Sequence, residues 1–250
     1  MKQQIPNFVT LLNLFSGCLA VLFAVNNQFV AASCFVALGI FFDFFDGLLA
    51  RKLQVQSALG IQLDSLADMV TSGLVPGIIM FKLLVMASDT KDLMSFSNDW
   101  NSAMHWQEFQ FAPLALIGFI ITMASAYRLA KFNIDEDQQA YFKGLPTPAN
   151  ALLVLSLPLI MEFQDNDAIN QIILTPWFLV LFTVISSYLL ISPIKLFALK
   201  FKDWGFKTNA IRYLFIILCV VLLVVLQFAA IPVIIIMYII LSLLGQKGIS

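Results

Sequence analysis

The sequence predicts an all-α, polytopic transmembrane helix bundle of about eight spans. Three observations carry that expectation. Hydrophobic residues make up 60% of the chain and charged residues only 12%, where a soluble domain carries about 25% charged residues. Mean hydropathy is +0.91, and the apolar residues fall in runs near the ~20 residues a spanning helix needs. Lysine and arginine collect in alternate connecting segments, as they do in chains that cross a bilayer repeatedly. The 250 residues then form one integral membrane domain, 1–250, with a core over about 5–195 and a C-terminal helix pair over about 211–245.

The spans fall at roughly 8–25, 29–50, 64–86, 111–132, 147–162, 174–194, 211–228 and 231–245. Arg51 and Lys52 close the second, and Asp64 opens the third. The polar stretch 88–110 is the longest loop. Arg128 and Lys131 end the fourth span, and Pro146 and Pro148 shape the start of the fifth. The stretch 196–209 mixes Phe and Leu with Lys, the pattern of a helix lying in the membrane interface. The last two spans share one apolar run, divided between Gln227 and Pro232 because proline breaks the helical ladder.

A cytoplasmic N-terminus follows from the charges. It puts Lys2, Arg51, Lys52, Arg128, Lys131 and Lys143 inside, and with them Lys195, Lys200, Lys202, Lys207, Arg212 and Lys247. Lys82 and Lys91 fall toward the other face, where the loops are acidic: Asp89, Asp92, Asp99, Glu162, Asp165 and Asp167. Net charge is −1, so no nucleic-acid partner is expected. Cys18, Cys34 and Cys219 are odd in number and lack metal-ligand spacing, and read as buried free thiols. His105 is the only histidine, which excludes histidine clusters. Neither a cleavable signal pattern nor an internal repeat is present.

Four carboxylates stand out against this background. Asp43 and Asp46 lie deep in an apolar run, and Asp64 and Asp68 open the next one. Insertion scales charge about 2.5–3.5 kcal/mol for an aspartate at a helix centre, so four of them need compensation, which a divalent cation supplies. At helical pitch, Asp43, Asp46, Gly47, Ala50 and Arg51 form one stripe, while Phe44, Phe45 and Leu49 point elsewhere. Gly60, Asp64, Asp68 and Thr71 form a second stripe. Two such stripes on consecutive helices would line an oxygen-rich pocket near the membrane surface, suited to Mg²⁺ or Mn²⁺. Arg51 offers a planar fork for phosphate oxygens. The pattern points to metal-assisted phosphoryl chemistry on an anionic substrate. Its alternative is a polar patch that packs helices or conducts an ion.

The segment Asp43-Phe-Phe-Asp46-Gly47-Leu-Leu-Ala50-Arg51, followed by Gly60, Asp64 and Asp68, resembles the signature of the CDP-alcohol phosphotransferase family at every position and interval. The resemblance implies a six-helix transmembrane core, extended here by the C-terminal pair, in a homodimer of the cell membrane. It implies a site open to the cytoplasm. Asp43, Asp46 and Asp64 would ligate a two-metal centre of Mg²⁺ or Mn²⁺ that holds the donor's pyrophosphate. Asp68 belongs to the same carboxylate set and would act as the general base. Gly47, Arg51 and Gly60 would line the nucleotide site.

Three outer motifs resemble the serine-accepting branch of that family. They are Pro6-Asn7-Phe-Val-Thr10-Leu-Leu-Asn13, Ala126-Tyr-Arg128-Leu-Ala-Lys131-Phe-Asn133 and Gly144-Leu-Pro146-Thr147-Pro148-Ala149-Asn150. The implied reaction moves a phosphatidyl group from CDP-diacylglycerol to L-serine. Thr10 and Asn13 are then expected at the CDP-diacylglycerol site, and Arg128 and Lys131 at the serine carboxylate or a phosphate. Capping and interhelical hydrogen bonding are the alternative for Thr10 and Asn13, and orientation in the membrane for Arg128 and Lys131. After Asp68 the chain reads Met-Val-Thr71-Ser72-Gly73-Leu-Val-Pro76, where related enzymes often carry Ser-Phe-Gly. Glycerol-3-phosphate or inositol phosphate is the alternative acceptor. An ion-coupled transporter is the distant alternative, and it would require repeats and interrupted helices.

Overall fold

The computed structural model describes residues 4–88, 113–134, 142–164, 166–196 and 206–246, and within them the chain is almost entirely helical. Helix α1 (Gln4–Val25) and helix α2 (Phe29–Lys52) form an adjacent pair. A connection through Gln54, at φ 54°, leads to α3 (Ala58–Asp68), which runs on through a π-helical turn, Met69–Leu74, into α4 (Val75–Ala87). A 3₁₀ turn, Ala115–Phe119, opens α5 (Ile120–Ile134). Then come α6 (Thr147–Phe163), the short α7 (Asp167–Ile173), α8 (Pro176–Ile191), α9 (Phe206–Leu226) and α10 (Ala230–Gln246).

The α3–α4 rod, Ala58–Ala87, is the axis of the bundle. Every residue from Val75 to Val85 is buried, because α1, α2, α5, α6 and α8 all pack against α4. Ala20, Ala24, Ala32 and Val36 supply small contacts from α1 and α2, and Val154, Leu155 and Leu179 fill the opposite side. The outward faces are equally apolar: Phe15, Phe41, Phe44, Leu181 and Val224 are all exposed. An apolar surface facing outward on helices of 20–30 residues (Gln4–Val25, Phe29–Lys52, Ala58–Ala87, Ala115–Ile134) is the signature of a protein dissolved in lipid.

The π turn has a sequence cause. Pro76 has no N–H and its ring collides with the preceding turn of a regular α-helix. The chain widens just before it, with the Val75 N–H reaching back to the Val70 carbonyl, an i→i−5 bond.

Several expectations are refined. The third helix begins at Ala58 instead of 64, because Ser57 caps it. The sixth span is bent: α7 and α8 meet at 65°, and Pro176 starts the new helix. A two-residue antiparallel ladder, Phe142–Lys143 with Lys195–Leu196, was not expected. It clasps the loop before α6 to the end of α8, where the Gly144 N–H donates to the Ile194 carbonyl at 2.9 Å and the Leu145 N–H to the Leu189 carbonyl at 2.9 Å. Gly144 has φ +75°, and a Cβ there would sit 2.5 Å from the Leu190 carbonyl oxygen. Lys82 is 1% exposed and lies in the interior of the bundle. The thiols expected to be buried are not: Cys18 and Cys34 are exposed and Cys219 is half-buried, on surfaces that face lipid. The 88–110 loop beyond Ser88, with His105, lies outside the described residues. So do Lys2, Asp165, Lys247 and most of the interfacial stretch 196–209.

The apolar run Phe215–Leu243 is 29 residues long, yet it is not one rod. The rings of Phe215 and Tyr238 lie 5.9 Å apart; in a straight helix they would be separated by about 35 Å. The chain turns back at Gln227, which has φ 49°, through the 3₁₀ turn Gln227–Ala229. That turn is anchored on α6, where Gln164 Nε2 donates to the Leu226 carbonyl at 2.5 Å and Phe163 meets Phe228 at 5.1 Å. In a background with Cys18, Cys34 and Cys219 replaced, a Phe215→Cys/Tyr238→Cys pair should be bridged by a short bifunctional thiol reagent, read by mass spectrometry. Absence of the bridge, with both thiols reactive, would mean that α9 and α10 form a single long span.

Candidate active site

The site is built where α1, α2 and α3 converge. Along α2, Asp43, Asp46, Gly47, Ala50 and Arg51 recur at helical spacing, so they share a face. The cap of α3 sets the opposing residues. Ser57 is extended, at φ −139° and ψ 151°, and its Oγ accepts the Gly60 N–H at 3.0 Å. Gly60 therefore falls in the first turn, with Asp64 and Asp68 one and two turns further on. Helix α1 packs along both and brings Thr10 and Asn13 to the carboxylates.

Asp43, Asp46 and Asp64 each offer an oxygen to a group in which all three atoms lie within 4.8 Å of one another. Asp68 stands outside this trio, one turn along α3. Carboxylates this close repel unless positive charge lies among them. Asp64 Oδ1 is buried and has no hydrogen-bond partner. An all-carboxylate donor set with an orphaned buried oxygen fits a hard divalent cation. The remaining bonds support the cluster from behind. Thr10 Oγ1 donates to Asp46 Oδ2 at 2.5 Å, and Asn13 Nδ2 donates to Asp68 Oδ1 at 3.3 Å.

A cavity of about 270 Å³ opens beside the trio. Asp46, Gly47, Ala50 and Arg51 line it from α2, Gly60 and Asp64 from α3, and Asn7 and Thr10 from α1. A Cβ on Gly47 would meet nothing within 4 Å, so this face of α2 is left open. Arg51 Nε donates to the Gly47 carbonyl at 3.0 Å, leaving the terminal nitrogens of the fork for an anion. The first turn of α3 also borders the cavity, so the helix dipole favours negative charge there.

A second, smaller cavity of about 50 Å³ lies between Tyr127, Arg128, Lys131 and Phe132 on α5 and residues 190–193 at the end of α8. Arg128 is 9% exposed, its Nε has no hydrogen-bond partner, and its charge acts on Asp68. Lys131 is exposed. Nearby, Ser65 and Asn133 exchange hydrogen bonds of 2.9 and 3.2 Å, tying α3 to the end of α5.

The structure thus gathers Thr10, Asp46, Gly47, Arg51, Gly60 and Asp64 around the main cavity, with Asp43 in the adjoining trio. Asn13 and Asp68 are joined to each other, and Arg128 and Lys131 share the second cavity. Two contributors went unassigned from sequence. Asn7 was visible only as part of the Pro6-Asn7 motif. Ser57, three residues before Gly60 at the head of an apolar run, is a helix-start signal.

Fold and site together define a polytopic helical membrane protein with an acidic, cation-compatible pocket. The family model of CDP-alcohol phosphatidyltransferases matches residues 3–185, and the chain belongs to that family of transferases. It is 31% identical over 193 residues to the CDP-diacylglycerol–serine O-phosphatidyltransferase of Bacillus subtilis, covering 77% of this chain and 89% of that protein. A protein of the same name from Helicobacter pylori is 26% identical over 84% of this chain and 79% of its own length. The archaetidylserine synthase of Methanothermobacter thermautotrophicus is 26% identical over 66% of this chain and 61% of its own.

Removing the cap tests how the site is assembled. Ser57→Ala should lower the thermal unfolding temperature in detergent, by the equivalent of about 1 kcal/mol, while Ser57→Thr keeps it. Equal stability of all three proteins would show that the cap does not set the start of α3.

Proposed function

We propose that this chain transfers the phosphatidyl group of CDP-diacylglycerol to L-serine, yielding phosphatidylserine and CMP. The observation that carries the reading is the trio Asp43, Asp46 and Asp64 beside the Arg51-lined cavity, with Asp68 one turn beyond. The relatives named as serine O-phosphatidyltransferases support serine as the acceptor.

Each residue then has a task. Gly47, Gly60 and Thr10 shape the nucleotide side of the cavity, and Arg51 holds phosphate oxygens there. Asn13 adjoins that donor site from α1. The dipole at the start of α3 adds a field that favours the diphosphate. Asp43, Asp46 and Asp64 would hold Mg²⁺ or Mn²⁺, with Asp68 at the edge of the set. A bound pair of such ions supplies neutralisation of the diphosphate and of the leaving phosphate. Asp68 takes the proton of the serine hydroxyl as its oxygen bonds to the lipid-side phosphorus. The bond from that phosphorus to the bridging oxygen breaks, and CMP leaves with the electron pair. Arg128 and Lys131 hold the serine carboxylate at the second cavity. The basic residues Arg51 and Lys52 at the end of α2 favour a cytoplasmic mouth, and the protein works as a homodimer in the cell membrane.

Purified protein given CDP-diacylglycerol, Mn²⁺ or Mg²⁺ and labelled L-serine should place label in lipid. EDTA should abolish incorporation, and Asp68→Asn should lower it about a hundredfold or more. CMP release with glycerol-3-phosphate or inositol phosphate but not with serine would overturn the acceptor. No CMP release with any alcohol from folded protein would overturn the reaction.

Arg128→Gln should raise the KM for serine about tenfold or more, the loss of a charge-assisted contact, with the KM for CDP-diacylglycerol little changed. An unchanged serine KM would remove Arg128 from the acceptor site.

A further inference from the structure

We propose that Thr71 and Asn13 form a buried relay that aims the carboxylate of Asp68; the inference rests on the reading of Asp68 as the base. Both relay residues are 0% exposed. Thr71 Oγ1 donates to Asn13 Oδ1 at 2.8 Å and also lies 3.3 Å from the Asn13 backbone carbonyl. Asn13 Nδ2 donates to Asp68 Oδ1 at 3.3 Å. The two bonds depend on each other. An ionised carboxylate can only accept, so the amide must present its nitrogen to Asp68. The Thr71 hydroxyl stabilises that orientation by donating to the other end of the same amide. With Asp68 Oδ1 held in this way, Oδ2 is left for the proton of the acceptor alcohol.

Several features of the fold converge on the one hydroxyl. Thr71 lies within the π turn that follows Asp68 directly. Helices α1 and α2 close on it from two sides, at glycines. A Cβ on Gly17 would fall 2.5 Å from Thr71 Oγ1, and one on Gly39 would fall 2.6 Å from Thr71 Cγ2 and 2.8 Å from Asn13 Oδ1. Any larger residue at either position would displace the threonine or the amide. A valine would fill the same space, so packing alone gives no reason for an oxygen at 71. Thr71 is therefore a positioning residue, acting on Asp68 through the Asn13 amide.

The test compares Thr71→Ser with Thr71→Ala. Both lose the methyl group, so they share any packing loss and differ by one oxygen. Steady-state transfer to serine is measured for each, with KM for both substrates and thermal unfolding in detergent. Thr71→Ser should keep kcat within about twofold of the unsubstituted protein. Thr71→Ala should lose about tenfold in kcat, the scale of one buried hydrogen bond, with both KM values within about twofold. If Thr71→Ala does not fold, Thr71→Val against the unsubstituted protein makes the same comparison. Equal kcat in the serine and alanine variants overturns the relay, as does a rise in the CDP-diacylglycerol KM with kcat retained, which would place this node at the nucleotide. Lack of transfer by the unsubstituted protein strikes the parent reaction instead, and is seen before any variant is compared.

Discussion

Four aspartates inside a lipid-dissolved bundle are the constraint on which this structure turns. Uncompensated, they would cost up to on the order of 10 kcal/mol, as much as the whole net stability of a typical domain. The fold answers two of them directly. Asp46 receives a hydroxyl from Thr10 and Asp68 an amide from Asn13, while Arg128 places a buried positive charge near Asp68. Among the described residues the trio has no cationic side chain of this kind within it, and Asp64 Oδ1 is left without a partner. A cluster compensated at its edges and uncompensated at its centre could hold a divalent cation, as the proposed reaction requires.

Bringing carboxylates from α2 and α3 together requires helices to approach more closely than ordinary side chains allow. Association within lipid gains little from apolar burial and relies on close packing and hydrogen bonds. Here both coincide. The glycines at 17 and 39 let α1 and α2 close on the π turn, and the polar side chains thus enclosed bond to one another between α1 and the α3–α4 rod. The outward faces make no such demands and are free to be Leu, Phe and Val.

What the sequence revealed was what is local. The stripe Asp43, Asp46, Gly47, Ala50 and Arg51 was legible because helical spacing alone decides which residues share a face; the last four line the cavity, and Asp43 stands in the adjoining trio. The reversal near Gln227 was legible because a polar residue and a proline interrupt an otherwise uniform run. Burial was not legible. Hydropathy cannot distinguish core from lipid-facing positions when both are apolar, which is why Cys18 and Cys34 were read as buried and are exposed. The earlier start of α3 was hidden because a cap at Ser57, and not hydropathy, decides where that helix begins. The bend at Pro176 lies between two apolar helices, and the ladder from 142–143 to 195–196 pairs segments far apart in sequence. Likewise, nothing local links Asn13 to Thr71.

The separation of Asp68 from the other three carboxylates gives the helix its division of labour. In the proposed reaction Asp64 binds a cation, and a carboxylate whose lone pairs are committed to a metal is a poor acceptor of a proton. A base must therefore stand within reach of the same phosphorus yet apart from the ions. Four residues of α-helix supply that separation: a rise of about 6 Å with nearly the same facing direction. Because Asp64 and Asp68 lie on one rigid rod, their spacing does not depend on loop conformation. The rod is in turn the most enclosed element of the bundle, buried continuously from Val75 to Val85. Placing both carboxylates at the end of that axis lets the interior packing of the whole membrane domain fix the distance between the cation site and the base.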